Sequence, residues 1–190
     1  VWVGRLEPYK RVDVMIEAMA RVVAERPQAR LVVVGEGSAR ASLEATAKGA
    51  GIEGSVAFTG FVSEREKVDW YRRAAAVVNT SEKEGWGMTM IEGNACGAPS
   101  VASDVPGLRD AVRDGKTGLV VPYGDSGALA AALLRVLGDE TFSQALAQEG
   151  LGWAGRFSWD AVAEDAARLI EEAIHPGAEP VRLTASPFEG

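Results

Sequence analysis

The sequence predicts an α/β fold: a doubly wound, mostly parallel sheet, Rossmann-like, with helices on both faces and further helices at the C-terminal end. Three observations point to it. Short runs of four or five apolar residues recur along the chain. These runs lack the inside–outside alternation of a half-exposed sheet, as expected for strands covered on both faces. Amphipathic stretches of helical length separate them, and right-handed crossovers place such helices on both sides of one sheet.

Val1–Gly4 reads as the end of a first strand. Val12, Met15, Ile16, Met19, Val22 and Val23 recur at helical spacing, which predicts a helix over 12–25 stopped by Pro27. Leu31–Val34 is an all-apolar strand ending in Gly35. Ser38 is placed to N-cap a helix running to Gly49. A strand over Val56–Thr59 follows, then a helix over 64–75 carrying Val68, Trp70 and Tyr71. Ala76–Thr80 reads as a strand, 88–96 as a helix, Ser100–Ala102 as a strand, Leu108–Arg113 as a short helix and Gly118–Val121 as a strand. Three helices close the chain. The first shares Leu129, Leu133 and Leu137 on one face, the second covers 140–154 and the third 159–174. Residues 1–175 read as one domain, in keeping with 190 residues in all at roughly 150 per domain. Residues 176–190, with Pro-Gly-Ala-Glu-Pro and few apolar anchors, read as a linker or disordered tail.

Composition removes several chemistries. A single cysteine, Cys96, excludes an internal disulfide and any CxxC site, and a single histidine, His175, excludes paired-His metal sites. Cys96 reads as a small buried hydrophobe, and His175 as a complement to a helix C-terminus. With 20 Lys+Arg against 27 Asp+Glu the net charge is −7, so no nucleic-acid partner is expected. No apolar run reaches the ~20 residues of a membrane span. The chain begins at Val1, inside a strand, and so reads as part of a longer protein. The remaining chemistry rests on carboxylates, Arg and Lys, hydroxyls and backbone amides.

In such sheets, ligands bind beyond the C-terminal ends of the strands. Gly4, Arg5 and Lys10 follow the first strand, Gly35-Glu36-Gly37 the second, and Gly60-Phe61-Val62 the third. The fourth is followed by Ser81-Glu82-Lys83-Glu84-Gly85-Trp86-Gly87-Met88-Thr89-Met90-Ile91-Glu92, and the fifth by Ser103, Asp104, Pro106 and Gly107. Gly35-Glu36-Gly37 is not a dinucleotide fingerprint, because the third glycine of that motif would fall at Arg40. The Glu84–Glu92 segment is the sharpest signal. Glu84 lies in a glycine-flanked loop and Glu92 a turn or two into the next helix, on the face of Met88. The amides of Gly87, Met88 and Thr89 open that helix, where partial positive charge favours phosphate or sugar oxygens. Arg5 and Lys10 add complementary cations, Arg as a planar fork and Lys as a point charge. Ionised carboxylates accept from sugar hydroxyls. Together these residues describe a sugar-nucleotide site.

On these residues the chain resembles the C-terminal domain of family 4 (group 1) glycosyltransferases of the GT-B fold. Further matching segments are Val3-Gly4-Arg5-Leu6, Lys10-Arg11-Val12-Asp13, Phe58-Thr59-Gly60, Asn94-Ala95-Cys96-Gly97-Ala98-Pro99, Ser103-Asp104-Val105-Pro106-Gly107 and Gly115–Pro122. The resemblance implies that Arg5, Lys10 and Glu84 are catalytic. Gly4, Gly35, Gly37, Gly60, Phe61, Val62, Gly87, Met88, Thr89 and Glu92 would bind the donor, a UDP- or GDP-sugar. No metal and no cofactor are implied. It further implies transfer of a hexosyl group with retention to a glycan, lipid or small-molecule acceptor. An N-terminal domain, absent from this sequence, would hold that acceptor, so the isolated domain would be inactive. A cytoplasmic location follows from the same resemblance, with any contact to the inner membrane face made through the missing domain. The alternatives are a GT-B-type sugar-nucleotide epimerase or phosphorylase, or a non-catalytic nucleotide-sensing module.

Overall fold

The computed structural model describes residues 1–175. The strands are β1 (Trp2–Val3), β2 (Leu31–Val34), β3 (Val56–Gly60), β4 (Val77–Asn79), β5 (Ser100–Ser103) and β6 (Gly118–Val121). The helices are α1 (Val12–Glu25), α2 (Arg40–Gly49), α3 (Glu64–Arg73), α4 (Met88–Ala95), α5 (Leu108–Ala111), α6 (Ser126–Gly138), α7 (Glu140–Ala154) and α8 (Trp159–Ile174). All strand pairs are parallel, and the order across the sheet is β3-β2-β1-β4-β5-β6. The chain therefore winds outward twice from the centre, first through β1–β3 and then through β4–β6. The boundary between β1 and β4 is the switch point at which such sheets open a crevice.

Right-handed crossovers in opposite directions put α1 and α2 on one face and α4 on the other. The helical stripe read from the sequence is the one that α1 buries: Val12, Met15, Ile16, Met19 and Val22 are all nearly solvent-free. It meets Leu129, Leu133 and Val136 of α6 over Trp2, Val33, Val78 and Val101 of the sheet. On the opposite face α4 packs against α7. Asn94, fully buried, donates from Nδ2 to Ala98 O at 3.0 Å and Thr117 O at 3.1 Å, tying the end of α4 to the residues that lead into β5 and β6.

The elements fall where the sequence places them, with small differences of physical origin. Ser38 does not cap α2; its hydroxyl donates to Glu7 Oε2 at 2.8 Å, and Ala39 occupies the N-cap position without a side-chain bond. The capped helix is α3, where Ser63 and Glu66 form a reciprocal capping box. That helix ends at Arg73 rather than 75, and the short helix α5 ends at Ala111 rather than Arg113. Val1–Ala154 cluster into one compact unit and the residues from Gly155 onward, which carry α8, into a second. The tail expected over 176–190 lies outside the described residues.

Gly93 tests the packing directly. A Cβ there would stand 2.6 Å from Val77 Cγ2 and 2.9 Å from Val77 Cβ, so α4 lies as close to β4 as a hydrogen side chain permits. Helix propensity alone predicts that Gly93→Ala stabilises by ~1 kcal/mol. Overpacking predicts the opposite sign, a loss of about 1–3 kcal/mol. Denaturant unfolding of the intact protein should show the loss, and a raised midpoint would contradict the α4–β4 contact.

Candidate functional site

The loops leaving β1 and β4 meet at the switch point and are stitched together. Thr80 Oγ1 donates to Lys10 O at 3.0 Å, and the Glu82 N–H donates to Tyr9 O at 2.8 Å. Lys10 Nζ completes the seam by pairing with Glu84 Oε1. The β1 loop can deliver Lys10 because of a sharp reversal at Arg11. This residue ends the one-turn 3-10 helix Pro8–Lys10, N-caps α1 and adopts φ 50, a left-handed conformation. It is the sole non-glycine residue with positive φ among those described. Such a conformation costs roughly 1–3 kcal/mol. Ion pairing of its guanidinium with Asp13 and a 2.9 Å bond to the Tyr123 hydroxyl hold it in place.

Glu84 is the most elaborately held carboxylate. Besides Lys10, its Oε1 has Asn79 Nδ2 at 3.1 Å and the Ser81 hydroxyl at 2.8 Å. Asn79 Oδ1 in turn accepts the Ser81 N–H at 3.0 Å and lies 2.6 Å from the same hydroxyl, whose one proton serves either acceptor. Asn79, Thr80 and Ser81 are buried. Burial pushes the Glu84 carboxyl up, but the donors from Lys10, Asn79 and Ser81 outweigh it and hold the group below the usual carboxylate range. Glu84 is therefore ionised, with one oxygen saturated. Its Oε2 accepts from none of the described residues and faces no competitor for an incoming hydroxyl.

The loop after Glu84 turns into α4 through Gly87, at φ 72, where a Cβ would meet Leu108 Cδ2 at 3.0 Å. No side chain caps this helix. The Met90 N–H returns to Gly87 O at 2.9 Å, while no described residue accepts from the amides of Met88 and Thr89. Those amides are available to an anion. The loop after β5 supports this arrangement from behind: a Cβ at Gly107 would lie 2.3 Å from Glu84 O. One turn into α4, Glu92 accepts from the Tyr71 hydroxyl at 2.8 Å and lies 3.3 Å from Lys67 Nζ, both on α3.

On the β2–β3 side, backbone meets backbone. A Cβ at Gly35 would lie 1.9 Å from Gly4 O, and one at Gly37 2.4 Å from Leu6 O. The Leu6 N–H donates to Glu36 O at 2.9 Å and the Ala39 N–H to Leu6 O at 2.8 Å. Gly60, at φ 74, receives the Gly35 N–H at 2.9 Å, and Phe61 beside it is 88% exposed. Val62 is half-buried and Arg5 is exposed, with no ion pair among the described residues.

The structure thus brings Arg5, Lys10, Glu84, Gly87, Met88, Thr89 and Glu92 to the rim around the switch point. Gly4, Gly35, Gly37, Gly60, Phe61 and Val62 lie along the adjoining loops. Sequence reasoning gave no role at the site to Asn79, Ser81, Lys67, Tyr71, Arg11 and Tyr123. A signal existed for the first pair: a polar run, Asn79-Thr80-Ser81, closes an otherwise apolar strand. No described group of three or more His, Cys, Asp or Glu is placed to hold a metal ion, and no described helix is long and apolar enough to cross a membrane.

Comparison with known proteins shows the family and the fold. The D-inositol 3-phosphate glycosyltransferase of Thermobispora bispora is 39% identical over 183 residues, covering 92% of this chain and 43% of that protein. That of Streptosporangium roseum is 37% identical over 187 residues, covering 94% and 42%. The chain spans less than half the length of these curated relatives. Among solved structures, the C-terminal domain of the glycosyl transferase group 1 family protein LpcC from Francisella tularensis superposes with a TM-score of 0.74 at 26% identity, covering 82% of this chain and 84% of that one. Anabaena HepE in complex with UDP-glucose gives a TM-score of 0.80 at 25% identity, covering 90% and 48%. The family model of glycosyl transferases group 1 matches residues 1–153, and the chain belongs to that family.

Proposed function

We propose that this chain is the donor-binding half of a retaining glycosyltransferase. It would hold a nucleotide-diphosphate hexose for transfer to a hydroxyl of a glycan, lipid or small-molecule acceptor supplied with the rest of the protein. The observation that carries the reading is the switch point itself. Two cations, an open helix N-terminus and two carboxylates converge there from segments far apart in sequence.

Each group has a role suited to its chemistry. Arg5, exposed and without an ion pair among the described residues, offers its fork to the diphosphate. Lys10 gives one N–H to Glu84 and keeps two donors for phosphate oxygens. The Met88 and Thr89 amides add the helix terminus. Glu84 Oε2 accepts from hydroxyls of the hexose, and Glu92 from those of the ribose. Backbone around Gly60–Val62, with the exposed Phe61 ring, faces the base. As the glycosidic bond to phosphate breaks, charge builds on the leaving diphosphate. Arg5, Lys10 and the two amides would stabilise that charge, the electrostatic contribution that fixed donors make best. The acceptor hydroxyl then bonds to the anomeric carbon from the face the nucleotide leaves, and the departing phosphate takes its proton. The chain's own residues bind and stabilise, and no metal or cofactor is called for.

At least one of UDP, GDP and ADP, alone or as a hexose conjugate, should raise the melting temperature of the intact protein, the tighter ligands by more. No shift with any of them would overturn the reading. Arg5→Ala or Glu92→Ala should lower donor affinity or turnover at least about tenfold, ~1.4 kcal/mol, and unchanged kinetics in both would remove the site assignment. Glu84→Ala should separate sugar from nucleotide. Affinity for the nucleoside diphosphate should stay within about threefold, while turnover of the nucleotide sugar should fall more than roughly tenfold, the loss of one charge-assisted hydrogen bond. Equal loss with both ligands would place Glu84 on the nucleotide instead.

A further inference from the structure

Glu92 is the carboxylate to which the proposed function gives the ribose hydroxyls, and any role for the groups that hold it rests on that reading. Its two oxygens are held separately. Oε2 accepts from the Tyr71 hydroxyl at 2.8 Å, while Oε1 lies 3.3 Å from Lys67 Nζ. The two donors differ in character. Lys67 is shared, because Glu64 Oε2 stands closer to the same ammonium, at 2.8 Å. It is a long, mobile side chain that screens charge more than it fixes geometry. Tyr71 is 1% exposed, on a rigid ring two turns into α3, and Glu92 is the partner its hydroxyl has. Burial, followed by the nearby Glu92 charge, pushes that hydroxyl well above the ordinary tyrosine range, so it stays a donor.

A phenylalanine would fill the same space. The buried hydroxyl would cost about 1–3 kcal/mol without an acceptor, so its presence is explained by what it does to Glu92. With one oxygen bonded to Tyr71, the carboxylate cannot spin about its terminal torsion, a broad, soft rotor when free. An ionised carboxylate has about four lone-pair positions. One on each oxygen is taken from the α3 side, which leaves one on each for a ligand. Two hydroxyls on adjacent ring carbons match that pair of acceptors, and a single hydroxyl does not.

We propose that Tyr71 is a positioning residue that locks the Glu92 carboxylate for two-point recognition of the ribose 2′,3′-diol, and that this lock makes the site selective for ribonucleotides over 2′-deoxyribonucleotides.

Calorimetric titration of the intact protein with UDP, GDP and ADP, and with the 2′-deoxy form of whichever binds tightest, tests this. Wild type should prefer the ribonucleotide by about tenfold or more, the worth of one hydrogen bond to a charged group. Tyr71→Phe should weaken the ribonucleotide and leave the 2′-deoxy form within about twofold, compressing the ratio below roughly threefold. A merely structural tyrosine would weaken both ligands alike, and that result would overturn the proposal. Tyr71→Met, smaller but flexible enough to refill the space and also lacking the hydroxyl, repeats the test should the phenylalanine variant fold poorly. Glu92→Gln separates the two levels of inference. If it abolishes the preference while the Tyr71 variants keep it, the Tyr71 role falls and the Glu92 reading stands. If the preference is missing in wild type or survives in Glu92→Gln, or if no nucleotide binds, the Glu92 reading falls and the Tyr71 role with it.

Discussion

The site depends on one seam: the buried polar contact between the loops that leave β1 and β4. A parallel sheet that winds outward in both directions must part its loops at this boundary, and parting exposes the ends of strands to water. Here the gap is closed by the Lys10–Glu84 ion pair, the Thr80 bond to Lys10 O and the Glu82 amide on Tyr9 O. Ion pairs of this kind recover their desolvation penalty only when the remaining polar positions are also satisfied. Asn79 and Ser81 satisfy them, each bonded to Glu84 Oε1 or to the other. Removing Asn79 or Ser81 would leave polar groups of this network without a partner, a cost that holds its members together. Rigidity here has a functional consequence: Glu84 Oε2 is presented at a fixed point with its charge already balanced.

A second constraint is steric. Where two loops must run side by side under a ligand, a side chain on either one pushes them apart. Gly35 and Gly37 let the β2 loop lie directly on Gly4 and Leu6, and Gly107 lets the β5 loop lie on Glu84 O. These glycines act on the rim by bringing its walls together, which explains how their spacing can look like a phosphate fingerprint without being one. The strain is concentrated elsewhere, at Arg11, whose left-handed turn swings the chain from Lys10 into α1 and is stabilised by Asp13 and Tyr123.

The fold was legible because buried parallel strands and amphipathic helices leave periodic signals. The apolar run Leu31–Val34 and the stripe of Val12, Met15, Ile16 and Met19 follow from burial alone, and burial is what sequence patterns record. The glutamate pair and the rim cations were legible in position for a related reason: they follow strand ends, beside glycines, on the edge where such sheets bind ligands. Tyr71 and Asn79 were not legible in the same way. A tyrosine at an apolar helix position reads as core, and it is core, at 1% exposure. The role proposed for it lies in a hydroxyl whose partner sits 21 residues along the chain, across a helix–helix contact that no local pattern encodes. Ser38 shows the converse. A residue of the right type stood at the right place for a cap, but Glu7 offered its hydroxyl a charged acceptor, and charge-assisted bonds outcompete neutral ones.

Electrostatics sharpen what such a site requires. The chain carries a net charge of −7, so a dianionic diphosphate approaches against the overall field and is attracted only locally. Pairing Lys10 with Glu84 lowers the free positive charge of the rim, leaving Arg5 and the α4 amides as its unopposed attraction. Both are weak in open water, where screening acts over about 8–10 Å, and both strengthen when water is excluded. Arg5, Phe61 and Met88 lie exposed along this rim. A wall laid over them would lower the local dielectric where the leaving phosphate develops charge, and would cover apolar area on Phe61 and Met88. On the proposed reading, excluding water from this rim would strengthen Arg5 and the α4 amides at the point where the transfer step develops charge.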